Sequence, residues 1–193
     1  MGKEQPASYY DAIYKKSAEY DKPWHESRYL KVWQRMVQRF DKEDPVIDLG
    51  CGVGQTACFM HNEGFENYRG CDFSDEAINR AKQLIGHIPS YKFYVNDIFT
   101  FVNRLPTVCN DQFFCSETLE HITDDTGLLR LLAERFPGSR IAISVPTFDD
   151  PSHVRVFKSV TEAKDRYKPF IDVDDSSQIG PWIILQGKLA KQL

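Results

Sequence analysis

The stretch Val46-Ile47-Asp48-Leu49-Gly50-Cys51-Gly52-Val53-Gly54-Gln55 constrains the fold more than any other part of the chain. An apolar run of strand length passes directly into three glycines at alternate positions, and residues 56–62 beyond them read as a helix. Glycine adopts positive φ without steric cost and lets a ligand approach the backbone closely. A turn of this kind lies at the carboxyl end of a strand, where open α/β sheets bind their ligands. The helix N-terminus that follows favours negative charge, such as a carboxylate. The dinucleotide fingerprint G-x-G-x-x-G requires glycine where this chain has Gln55, which disfavours a nicotinamide dehydrogenase. Asp48, two residues before the first glycine, suits a cationic ligand better than a pyrophosphate.

The remaining pattern alternates strands with helices. Residues 68–73 read as a strand ending in an aspartate, and Ser74-Asp75-Glu76 looks like an N-cap with acidic first-turn residues opening a helix to about Ile85. Further strands are expected at 91–95, 112–116 and 140–145, with a helix at 124–135. Such alternation predicts a doubly wound α/β fold, with a mostly parallel seven-stranded sheet and helices on both faces. Residues 170–173 and 182–186 are strand-like, and Asp174-Asp175-Ser176-Ser177 with Gly180-Pro181 offers turn chemistry between them, so a C-terminal antiparallel hairpin is expected. Before the sheet, Tyr29, Val32, Trp33, Met36, Val37 and Phe40 form the stripe of an amphipathic helix. With 193 residues, one domain is expected, residues 1–44 forming a helical lid on a core at 45–193.

Aspartates close two of the strands that follow the glycine turn. Asp72 lies about 20 residues beyond it, where a carboxylate suits ribose hydroxyls. Asp97 ends the next strand, where it can accept from an adenine amino group. The segments VIDLGCGVGQ, YRGCDFSDEAINRAK, YVNDIF and DQFFCSETLEHI, in this order and spacing, resemble the successive motifs of class I, Rossmann-like methyltransferases that use S-adenosylmethionine. The resemblance spans about residues 45–147. It implies that Gly50, Cys51, Gly52 and Gly54 wrap the methionine part of the cofactor, with Asp48 near its amino group. It places Asp72 on the ribose diol, Phe73 near the adenine, Asp97 at the adenine amino group and Ile98 beside the ring, with Asn96 also among the cofactor-binding residues. Ser116 and Glu117 would lie beside the sulfonium. The implied product is S-adenosylhomocysteine, and no metal is expected.

The acceptor side is read from residues outside those motifs. Glu120-His121 matches the pair that often follows the fourth strand in small-molecule members of the resembling family; its simple role is to organise the loop, and its sharper one is proton transfer by His121. His153, in the loop after the fifth strand, is the other candidate base, since an imidazole titrates near neutral pH. Arg155 offers a partner for an acceptor carboxylate or phosphate, or for Asp149 or Asp150. Tyr10, Tyr14, Trp24 and His25 belong to an aromatic N-terminal stretch that can close over the acceptor and exclude water.

Composition narrows the partners. The net charge of -4 argues against duplex nucleic acid, which calls for a basic face. Asp/Asn-Pro-Pro-aromatic and Pro-Cys signatures of DNA methylation are missing after the fourth strand, where the chain reads Ser116-Glu117-Thr118-Leu119. A small-molecule acceptor is expected, attacked through oxygen, nitrogen or carbon, on a monomer or homodimer without membrane contact. A protein or RNA acceptor, or a non-catalytic sensor that binds the same cofactor, are the alternatives. Cys51, Cys58, Cys71, Cys109 and Cys115 form no C-x-x-C pair, and most lie in apolar runs. They read as free buried thiols in a cytoplasmic protein, as does the N-terminus without an apolar leader core.

Overall fold

Strand β1 (Val46–Leu49) is buried along its whole length, as a parallel strand covered on both faces must be. The computed structural model describes residues 2–107 and 110–191, so Cys109 lies outside the described residues. Around β1 run β2 (Tyr68–Asp72), β3 (Tyr91–Val95), β4 (Gln112–Ser116) and β5 (Arg140–Pro146), all parallel. The antiparallel pair β6 (Ile171–Ile179) and β7 (Trp182–Leu189) completes a seven-stranded sheet in the order β3-β2-β1-β4-β5-β7-β6. Strand order reverses between β1 and β4, which opens a crevice at their carboxyl ends. This is the expected doubly wound sheet with its C-terminal hairpin.

The two faces carry separate cores, because neighbouring residues of a strand point to opposite sides. Phe113 and Cys115 of β4 face one cluster and Phe114 faces the other. The first cluster is covered by α5 (Ile98–Arg104), α6 (Asp125–Arg135) and α7 (Val160–Tyr167), through Phe101, Leu128 and Tyr167. The second is covered by α2 (Leu30–Met36), α3 (Gln55–Asn62) and α4 (Asp75–Ile85), through Trp33, Phe59 and Ile78. Ser74 caps α4 as expected, its hydroxyl accepting from the Ala77 N–H at 3.0 Å. Helices α5 and α7 have no counterpart in the sequence reading. Both are short and capped, by Asp97 and Ser159, and short helices take most of their stability from packing on a sheet.

The hairpin departs from expectation in one respect. Asp174–Ser177 lies inside β6 and does not turn; the chain reverses at Gly180 (φ 55°) and Pro181. Arginines hold these acidic residues in the strand: Arg35 reaches Asp175 at 2.7 Å and Arg140 reaches Asp174 at 2.9 Å. A bulge between Val173 and Asp175 absorbs the irregularity. Ahead of the sheet, α1 (Ala7–Lys16) packs against α4, and two short 3-10 turns follow it, the second against α3. Among the described residues no helix is long and apolar enough to cross a membrane.

Candidate functional site

All three glycines of the first turn have positive φ: 88° at Gly50, 52° at Gly52 and 87° at Gly54. A Cβ on Gly50 would collide with the Thr118 side chain, and one on Gly54 would come within 2.9 Å of the Ala81 Cβ. The turn is therefore packed to the backbone on both sides. Asp72 ties it to the end of β2. One carboxylate oxygen accepts from the Gly52 N–H at 3.0 Å and the other from the Ser74 N–H at 2.9 Å. Burial pushes its pKa up to about 6 in spite of those bonds.

A cavity of about 410 Å³ opens between these strand ends and the N-terminal segment. Gly50, Asp72, Phe73, Asn96, Asp97 and Ile98 line one end of it, as anticipated. Five residues of the expected cofactor set do not reach its wall: Asp48, Cys51, Gly52, Gly54 and Ser116. Asp48 lies beneath the turn, where its carboxylate accepts a 2.5 Å hydrogen bond from the Tyr68 hydroxyl and burial pushes its pKa up to about 7. Cys51 is turned towards Gly70 and buried, and Ser116 faces the Ser144 hydroxyl at 3.0 Å. Gly52 lies under Tyr14, and Gly54 packs against Ala81. Glu117 does line the cavity, with φ of 53°, a left-handed conformation costly for a residue with a Cβ. Its carboxylate accepts from the Ser144 hydroxyl at 2.9 Å and from the Trp182 indole N–H at 2.7 Å, and burial raises its pKa to about 7.

The N-terminal segment forms the roof. The Tyr14 hydroxyl comes within 3.5 Å of where a Cβ of Gly52 would stand, so this ring covers the glycine turn. Tyr10 sits between Phe73 and His121, with ring centroids at 5.3 and 5.6 Å. Polar ties fix the segment: Asp11 accepts from the Ser74 hydroxyl at 2.5 Å, and Gln55 donates to the Glu19 and Lys22 carbonyls at 3.1 and 2.7 Å. Arg80 donates to the carbonyls of Tyr14 and Tyr20. Trp24 and His25, expected in the same roof, lie elsewhere. Trp24 packs on Phe59 at 6.0 Å, and His25 is exposed beside Glu26. The aromatic count that suggested both residues did not separate roof from core.

At the far end His121 and His153 meet, their ring centroids 4.9 Å apart. Glu120 joins them, fully buried, with neither carboxylate oxygen hydrogen-bonded among the described residues. The sequence reading gave Glu120 only a loop-organising role. Its signal was present in Glu117-x-x-Glu120-His121 directly after a strand end, a spacing that puts both carboxylates on the wall of one cavity. Arg155 is not an acceptor anchor. Its guanidinium donates to the carbonyls of Leu119, Ile122 and Thr123 and pairs with buried Asp125 at 3.2 Å. It staples the loop after β4 instead. Glu19 and Arg28 line the cavity unannounced by any motif, as do Tyr20 of the aromatic N-terminal stretch and Tyr29 of the expected amphipathic stripe.

A family model described as a methyltransferase domain matches residues 40–188. A search of curated protein sequences gives no match. Among solved structures, a chain from the complex between the Haloferax volcanii Trm112 methyltransferase activator and a methyltransferase superposes with a TM-score of 0.73 at 17% identity, covering 94% of this chain and 97% of that one. The magnesium protoporphyrin IX methyltransferase of Synechocystis PCC 6803, solved with bound S-adenosylmethionine, gives 0.68 at 14% identity, covering 95% and 97%. The [4+2]-cyclase SpnF gives 0.73 at 13% identity over 100% of both chains. Identities this low establish a shared fold and no more.

Proposed function

The chain belongs to the methyltransferase domain family, and from that premise we propose that it transfers the methyl group of S-adenosylmethionine to a nucleophilic atom of a small-molecule acceptor. The observation that carries this reading is the joint placement of the Gly50 turn, Asp72 and Asp97 on one cavity wall at three successive strand ends. The residues fit the cofactor. Gly50 brings bare backbone to the wall for its methionine part, Asp72 presents a buried carboxylate to a ribose diol, and Phe73, Asp97 and Ile98 offer stacking and an acceptor for adenine. When bound, S-adenosylmethionine supplies an electrophilic methyl on a sulfonium.

The protein's own contribution is alignment and dryness. Glu117, ionised above about pH 7, puts negative charge where a cation is expected. Tyr10 and Tyr14, on α1, roof part of the cavity, and residues 1–44 act as a lid on a core at 45–193. An acceptor would then lie under Tyr10, against His121 and His153. That roof favours a small acceptor over a protein or RNA, which would need the segment displaced.

Calorimetry with S-adenosylmethionine, S-adenosylhomocysteine and NAD tests the cofactor, and a metabolite screen with methyl-labelled cofactor tests transfer. Binding of NAD alone would overturn the reading. Cofactor binding without transfer to any acceptor class would leave a sensor, or a reaction of another kind on this fold, as in the cyclase SpnF.

A further inference from the structure

Glu120, His121 and His153 bring lone-pair-bearing atoms together at the acceptor end of the cavity. His121 Nδ1 lies 3.1 Å from the Ser152 carbonyl and His153 Nδ1 lies 3.1 Å from the Phe148 carbonyl. A carbonyl oxygen can only accept, so each Nδ1 carries its ring's proton and each Nε2 is bare in the neutral ring. Glu120 Oε1 stands 3.7 Å from His121 Nε2. One ligand atom from each of Glu120, His121 and His153 lies within 4.8 Å of the other two. The loop carrying His153 is fixed to this corner, because the Val154 N–H donates to the Glu120 carbonyl at 2.8 Å.

A buried carboxyl group with no hydrogen-bond partner among the described residues, set beside two bare imidazole nitrogens, calls for a cation or a proton among them. We propose that Glu120, His121 and His153 bind a divalent transition-metal cation through one carboxylate oxygen and the two Nε2 atoms. Two imidazoles and one carboxylate suit zinc or iron(II); magnesium and calcium prefer oxygen throughout. Each histidine already gives its other N–H to a backbone carbonyl, the arrangement that orients metal-binding imidazoles and makes them more basic. Three protein ligands leave coordination positions open, and all three residues line the cavity.

In this arrangement the histidines serve as ligands and not as free general bases, and the expectation of no metal is set aside. The open positions would take an oxygen of the acceptor, pointing to a hydroxyl-bearing molecule. That last step rests on the methyl-transfer reading; the cation site does not. A different arrangement would also relieve the corner: Glu120, whose pKa burial pushes well up, could keep its proton and donate it to one Nε2.

Titration of chelator-treated full-length protein with Zn²⁺ in a calorimeter decides between them, with the visible absorption of bound Co²⁺ reporting the ligand set. One Zn²⁺ per chain is expected, weakened by at least about 10²-fold in Glu120→Gln and in His153→Ala, because even outer-shell partners are worth 10–100-fold. Circular dichroism establishes that each variant is folded. No binding by the wild-type protein, or equal binding by both folded variants, overturns the site. S-adenosylhomocysteine is titrated into the same sample. Zinc binding without it would sink the cofactor reading and leave the cation site standing; the reverse result would sink the site alone.

Discussion

The backbone N–H of Gly2 donates to the carbonyl of His153 across 2.8 Å. The start of the chain is thereby joined to the loop after β5, and Glu4 adds a second tie by accepting from the Thr123 N–H at 2.9 Å. Glu4 and His153 line the cavity on the acceptor side, while Tyr14 stands over the glycine turn.

Deleting residues 1–5 should therefore loosen the acceptor side more than the cofactor side. Affinity for S-adenosylhomocysteine should stay near that of the full chain. Methyl transfer should fall about 10–100-fold through lost alignment, and amide exchange in residues 148–155 should quicken. Full transfer by the shortened chain would show that these ties only fix the terminus.

Asp72→Ala should weaken cofactor binding by about 2–4 kcal/mol, the worth of two hydrogen bonds to a charged group. In the wild-type protein the ionised carboxylate is the form that accepts from a diol. Its pKa near 6 means that affinity should rise between pH 5 and pH 7 and then level off. A pH-independent affinity, or an unaffected folded variant, would remove Asp72 from the ribose.

Asp48 sets up a stability test. Its pKa is about 7 in the folded chain against an ordinary value of 3.8, so between those limits the folded state holds a proton that the unfolded state has lost. Stability must then fall as pH rises through that window and stay low above it. Asp48→Asn, which keeps an acceptor for the Tyr68 hydroxyl, should be more stable than wild type by about 2–4 kcal/mol at pH 8, at about 1.4 kcal/mol per pKa unit. That advantage should vanish near pH 4. Urea melts at the two pH values measure it, and an equal difference at both would refute the buried charge.

Gly50 and Gly52 should respond differently to the same methyl group. Both pay about 1–2 kcal/mol for a left-handed alanine. Gly52→Ala meets only the Tyr14 hydroxyl at 3.5 Å, an ordinary contact, whereas Gly50→Ala drives into Thr118. Thermal melts should show a clearly larger loss for Gly50→Ala, partly recovered when Thr118→Ala is added. Equal losses would mean that the loop after β4 yields freely.

The frame of this molecule was legible in its sequence because burial and turn chemistry are local there. Val46–Leu49 announces a covered strand, and Gly50, Gly52 and Gly54 announce left-handed turns that the backbone bears out. What escaped were arrangements made by residues far apart in the chain. Asp174–Ser177 carries turn-forming residues, yet Arg35 and Arg140 hold it in a strand. Asp48 sits at the right place in the motif, but Tyr68, 20 residues on, draws it under the turn. Arg155 resembles an anion anchor until Asp125 and three backbone carbonyls claim its donors. Glu120 and His121 were visible as neighbours, while His153 reaches them only through the loop after β5.

The backbone of Glu117 carries one more implication. A glutamate in a left-handed conformation, with a carboxyl whose pKa desolvation raises, is a poor choice for stability at that position, and asparagine would suit the same φ with less strain. A library of variants sorted only for resistance to heat should drift away from glutamate at residue 117. One sorted for catalytic output should keep it. The two selections would part company at this single codon, and the divergence would mark it as a position where working chemistry is maintained against the preference of the fold.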